Sequence, residues 1–147
     1  MRFDFKYGRY TDIAVKTDSK ITFFATTEDS QIKEITSGKE VVRYEPSKMY
    51  SQLVPMLGSK LFIAGTGDAE RPGSIHILRY PWEKLFQVEA HSLPVEKIRL
   101  SYDNTHLFSG GRDGIVCIFD VKDKEPKLRR DGKELASIVL NDDVLLP

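Results

Sequence analysis

Ser109, His91 and Asp113 are the three residue types of a hydrolytic triad. In such a triad a hydroxyl attacks, an imidazole takes its proton and a carboxylate orients the ring. No nucleophile elbow and no oxyanion-hole motif accompanies them, so the sequence does not support catalysis and no enzyme is expected. The three histidines, His76, His91 and His106, have neither HxH nor HExxH spacing, and no Asp or Cys set converges with them in sequence. No metal is expected. His76 alternates with Ile75 and Ile77 and is read as packed against a neighbouring sheet or in solvent. Cys117, the single cysteine, lies inside an apolar strand and reads as a small core residue. One cysteine also excludes an intrachain disulfide framework and any multi-cysteine zinc site. The glycine-rich runs at 65–68 (GTGD) and 109–111 (SGG) precede neither a helical pattern nor a Lys-Ser/Thr pair, so no phosphate loop and no cofactor is expected.

The elements that would position these residues follow a period of two. Phe3, Phe5 and Tyr7 alternate with charged residues, and the same rhythm runs through 74–80 (SIHILRY) and 115–121 (IVCIFDV). Short β-branched and aromatic runs separated by Gly, Asp, Ser, Asn and Pro clusters are strands joined by turns. No segment holds a helical apolar stripe for three turns. The expected fold class is all-β.

The strands recur in groups. Segments 21–29 (ITFFATTED), 60–68 (KLFIAGTGD) and 106–114 (HLFSGGRDG) each run from an apolar strand through small residues to an acidic turn. A second strand follows each: 31–35, 74–80 and 115–121. A third follows that: 41–45, 85–90 and 126–130. One apolar segment precedes each group, at 12–16, 50–56 and 95–101. Asp29 and Asp113, both at turns, are 84 positions apart, two steps of about 42, the four-strand period of a propeller blade. Gly114 supplies the positive φ that a two-residue hairpin turn requires.

The third group carries the detail. Ala90-His91, Ser109-Gly110, Asp113-Gly114 and Phe119-Asp120 resemble the Gly-His, Ser-Gly, Asp-Gly and Trp-Asp marks of the WD40 repeat. The resemblance implies a buried network in which the His91 ring bonds the Asp113 carboxylate and the Ser109 hydroxyl. Phe119 stands where that family has Trp and lacks the N–H of the last link. The other two groups keep only the strand rhythm: Asp29-Ser30 at the turn of the first, and a loop at 67–73 (GDAERPG) in the second. The implied architecture is an incomplete WD40-type β-propeller over residues 1–147. Its blades, about three of four antiparallel strands each, would span about 8–45, 46–90 and 91–131, with a closing strand or exit segment at 132–147.

Segment 66–104 is similar to the last blades of the cilia- and flagella-associated WD-repeat proteins, in which a long coiled coil follows the propeller. That resemblance implies a scaffold of the motile-cilium axoneme, in the cytoskeleton of the cytoplasm. Such a scaffold positions inner dynein arms or neighbouring complexes on doublet microtubules. The alternative is a generic WD40 protein–protein interaction adaptor in a non-ciliary complex. An enzyme built on a propeller would need converging polar residues, which the sequence does not offer.

Composition bounds the class without saying what the chain does. Lys+Arg and Asp+Glu are equal at 22 each, for a formal net charge of zero, which argues against a nucleic-acid binder. No apolar run is long enough to span a membrane, and no signal-peptide core is present. The residues expected to meet protein partners are Trp82, between Pro81 and Glu83 in an outer turn, Arg71 in the long loop, and Lys127, Arg129 and Arg130 on a basic outer strand. Trp82 could equally pack under its own loop. Propellers close with about four to eight blades. Three blades are therefore expected to meet further blades or a second copy of the chain.

Overall fold

Alternation of apolar and polar residues produces strands throughout the computed structural model, which describes residues 9–17, 21–36, 39–44, 48–56, 60–122, 127–128 and 135–139. The first sheet is β1 (Tyr10–Thr17), β2 (Ile21–Thr27), β3 (Ile32–Thr36) and β4 (Lys39–Tyr44), each antiparallel to the next. The second is β5 (Tyr50–Pro55), β6 (Leu61–Thr66), β7 (Gly73–Arg79) and β8 (Glu83–His91), with the same meander. The third begins with β9 (Val95–Leu100), β10 (His106–Gly111) and β11 (Val116–Lys122), again antiparallel. The described residues are all-β, built as the blades of an incomplete propeller. Among the described residues no helix is long and apolar enough to cross a membrane.

The third sheet departs from the expected order at its rim. β13 (Leu135–Val139) lies beside β11 and parallel to it, while β12 (Lys127–Leu128) is displaced to the outside of β13. Lys127–Leu128, the described part of the strand expected at 126–130, therefore does not lie next to β11. Leu135, Ala136, Ile138 and Val139 make the more apolar strand, and it takes the inner place.

The tight turns share one construction. Gly111 and Ile115 close the β10–β11 hairpin through Gly111 N–H to Ile115 O at 3.1 Å, and Gly114 sits at φ +81°. Only this last loop residue has positive φ, so the loop has three residues and not the expected two. The β2–β3 loop repeats it: Thr27 N–H donates to Gln31 O at 3.0 Å, and Ser30 occupies the left-handed position at φ 63°. There the Thr27 hydroxyl also donates to Asp29.

The two central strands of the middle sheet, β6 and β7, are buried on both faces, and this sorts the core. Phe62, Ala64 and Leu78 face the first sheet, where they meet Ala14, Phe24 and Ile32 together with Tyr50, Leu53 and Trp82. Leu61, Ile63, Ile75 and Ile77 face the third sheet and meet Val95, Ile98, Leu107, Phe119 and Val121. Neighbouring residues of β6 and β7 point to opposite faces, so the apolar run of β6 is buried throughout, and Ser74 and His76, which alternate with Ile75 and Ile77 in β7, are buried as well. The outer face of the third sheet leaves Val116 exposed, with Phe108 and Ile118 partly so.

The innermost strands are joined by side chains. Each of β1, β5 and β9 carries a bulge at the same place, after Tyr10, Tyr50 and Val95 respectively. The bulged hydroxyl of Thr11 donates to Tyr50 O at 2.6 Å, and that of Ser51 donates to Val95 O at 2.6 Å. The next residue accepts in return: Asp12 Oδ2 takes the Leu53 N–H at 2.7 Å, and Gln52 Oε1 takes the Ile98 N–H at 3.3 Å. The same pair of bonds thus links sheet one to two and sheet two to three.

Candidate functional site

His91 ends β8, Ser109 lies in mid-β10 and Asp113 lies in the three-residue loop, so the hairpin folds all three onto one spot. The His91 Nδ1 atom is 3.2 Å from Asp113 Oδ1, and its Nε2 atom is 2.8 Å from the Ser109 Oγ. A carboxylate oxygen only accepts, so Nδ1–H is the donor to Asp113. The second oxygen of Asp113 accepts the Ser92 N–H at 2.9 Å, while Oδ1 also takes the Ile115 N–H at 3.1 Å. Burial pushes the Asp113 carboxyl up, but these two amides and the His91 ring outweigh it and hold the group below the usual carboxylate range. Phe119 is buried in the same sheet's core and, having no N–H, ends the chain of bonds at Ser109.

The connectivity is that of a triad, hydroxyl to Nε2 and carboxylate to Nδ1. Access is what differs. Ser109 is fully buried and the His91 ring has no exposed surface, so no substrate carbonyl can approach the hydroxyl without the hairpin opening. Chemically the cluster is a clamp: it ties the end of the middle sheet to the turn of the third. Gly111 is the residue that sequence reasoning missed here. A Cβ at that position would stand 2.5 Å from His91 Nδ1 and 2.6 Å from Asp113 Oδ1, so only glycine leaves room for the pair. Asp113→Ala strips four donors of their acceptor at once, the His91 ring, the Ser92 N–H and hydroxyl and the Ile115 N–H, and its melting temperature is expected to fall by several degrees. An unchanged melting curve would mean the clamp does not hold the two sheets.

A second polar cluster lies between the first two sheets. Tyr50 Oη is 2.7 Å from His76 Nδ1, the Ser74 Oγ is 3.1 Å from His76 Nε2, and Thr66 Oγ1 accepts the Ser74 N–H at 2.9 Å. Burial, with Tyr44 adding to it, raises the Tyr50 pKa and keeps the phenol protonated. For His76, burial and then the ammonium groups of Lys84 and Lys48 lower the pKa from 6.5 to about 4. The unfolded chain binds that proton near 6.5 and the folded chain does not, so stability rises with pH across this window. It is fully present above about pH 6.5 and is lost as pH falls toward about 4, by on the order of 3 kcal/mol. Urea midpoints at about pH 7 and pH 4.5 check this. The difference between them should shrink in His76→Gln, and an equal difference would place the titration elsewhere.

The expected interface residues fare differently. Trp82 is buried, not exposed: its ring lies 4.9 Å from Phe62, 5.4 Å from Phe24 and 5.6 Å from Tyr80 between centroids. The outer turn folds inward because the aromatic residues of two sheets offer it a pocket, and Trp82 takes φ +93° to enter it. Its indole N–H has no hydrogen-bond acceptor among the described residues. Arg71 is exposed and lies 3.6 Å from Asp68 within its own loop. Lys127 lies in β12, while Arg129 and Arg130 lie outside the described residues.

No family model matches the chain. Over 86 residues, 58% of its length, it is 30% identical to cilia- and flagella-associated protein 57 A of Tetrahymena thermophila. Over 121 residues, 79% of its length, it is 27% identical to cilia- and flagella-associated protein 57 of Mus musculus. The chain is similar to cilia- and flagella-associated protein 57. A third such protein, 57 C of Tetrahymena thermophila, is 33% identical over 73 residues. The matched stretch spans 6%, 9% and 6% of these three relatives, so the chain corresponds to less than a tenth of their length.

Proposed function

We propose that the chain is a non-enzymatic WD-repeat scaffold of the motile-cilium axoneme, which positions inner dynein arms or neighbouring complexes on doublet microtubules. The observation that carries this reading is the similarity to three proteins from two organisms that share the name cilia- and flagella-associated protein 57. The geometry supports positioning over turnover. Ser109 and His91 are closed to substrate, and side-chain bonds lock the three sheets together at their inner strands. Such a body can hold a partner at a fixed angle without changing shape.

The test is localisation. A fluorescently tagged form of the native protein, expressed in cells with motile cilia, should remain with the axoneme after detergent removes the ciliary membrane. Its depletion should then reduce the inner dynein arms seen in cross-section. Exclusion of the tagged protein from cilia would defeat the reading.

A further inference from the structure

The inner-strand joints repeat twice and then change character. Asp12 in β1 and Gln52 in β5 each accept an N–H from the next inner strand. Alignment of the three bulges puts Lys97 of β9 at the same position. An ammonium only donates, so Lys97 cannot make that joint. Arg99, two residues further, shares its face of β9. Both cations line a cleft of about 430 Å³ that runs across β1, β5 and β9 and is bordered by Tyr102.

The carboxylates nearby are already engaged. Asp12 accepts the N–H groups of Ile13 at 2.8 Å and Leu53 at 2.7 Å. Glu96 pairs with Arg112 at 2.9 Å. Asp103 accepts from the Thr105 hydroxyl at 2.6 Å, the Ser101 hydroxyl at 2.8 Å and the Thr105 N–H at 3.1 Å. These bonds, the Thr105 hydroxyl first, hold its pKa down to about 2. Among the described residues neither Lys97 nor Arg99 has an ion-pair partner. Arg99 spends one N–H on its neighbour's carbonyl, Ile98 O, at 2.9 Å.

We infer that this cleft binds an extended acidic segment of a partner protein, with carboxylates at alternate positions meeting Lys97 and Arg99. Residues i and i+2 of a strand are about 6–7 Å apart, so an extended peptide with acidic residues at every second position matches the two cations one to one. The formal net charge of zero favours such a local match over a long polyanion, which needs many cations in a row. This inference names a partner chemistry and does not depend on the ciliary reading; binding in solution can fail or succeed whatever the protein's place in the cell.

Fluorescence anisotropy with the 147-residue chain and labelled octapeptides tests it. An alternating Glu-Ser octapeptide should bind, and its Gln-Ser counterpart about tenfold more weakly or worse. A block peptide with four Glu followed by four Ser should be weaker than the alternating one. Lys97→Gln combined with Arg99→Gln should weaken binding about tenfold while leaving the melting temperature unchanged, since both side chains are exposed. Lys97→Arg should retain binding, and Arg71→Gln, in a different loop, should not alter it. Equal affinity for the Gln peptide would overturn the inference. So would an equal loss in Arg71→Gln, or equally strong competition by a single-stranded oligonucleotide of the same charge.

Discussion

Phe62→Ala lowers the stability of the chain by about 3–5 kcal/mol, the usual result when a large buried aromatic is truncated and its space is not refilled. Phe62 is fully buried at the centre of β6. Its ring meets Phe24 at 5.0 Å in an edge-on geometry and Trp82 at 4.9 Å, and the Lys16 ammonium lies 5.5 Å from its centroid. Phe24 and Lys16 belong to the first sheet, so truncation loosens a junction between sheets as well as one strand. Offset and edge-on aromatic pairs each add about 0.5–1.5 kcal/mol beyond burial, which puts this site above an ordinary core leucine. Urea unfolding followed by tryptophan fluorescence reads the loss directly, because Trp82 is the single tryptophan. A parent-like midpoint would mean the first two sheets do not share this core.

Gly73→Ala is the second large effect, with an expected loss of about 1–3 kcal/mol from overpacking. A Cβ there would stand 2.7 Å from Leu93 O and 2.8 Å from Val95 N. Both are backbone atoms, so no side-chain rotation relieves the clash, and β7 must move away from the segment entering β9. The loss belongs at the upper end of that range for this reason. Gly110→Ala provides the contrast, since nothing lies within 4 Å of its added carbon. If both variants unfold at the parent's urea concentration, the close approach of the second sheet to the third is absent.

Strand rhythm and turn chemistry are local properties, and they were readable. The alternation in β9, Val95 and Ile98 buried with Glu96, Lys97 and Arg99 exposed, shows one covered face, whereas the unbroken burial of 73–78 in β7 requires two. The sequence leaves His76 either packed or in solvent, because its alternation with Ile75 and Ile77 marks a face of the strand but not what covers that face. Its partner Tyr50, 26 positions away, follows only once the sheets are stacked. Trp82 was hidden for the same reason: its flanking Pro81 and Glu83 suggest a surface turn, while the rings that receive it come from β2, β6 and Tyr80. The loop at Gly114 had a legible sign of φ but not a legible length, since one positive-φ glycine suits both a two-residue and a three-residue hairpin. Among the clamp residues, Gly111 was the least legible. Its role lies in space left empty, and the only signal in sequence is a glycine pair where one would satisfy a strand.

The bonds at the inner strands also bear on how the protein avoids self-assembly. β1, β5 and β9 are each the terminal strand of their sheet, and a terminal strand with free N–H groups is a template on which another chain can add and grow toward fibres. In two of the three, a template amide is consumed from the side: Leu53 N–H by Asp12 and Ile98 N–H by Gln52. A recruit arriving at either strand would have to displace an acceptor already in place. The opposite borders are guarded by charge, with Lys39 and Glu40 opening β4 and Glu83 and Lys84 opening β8. What joins one sheet to the next therefore also withholds the backbone from strangers.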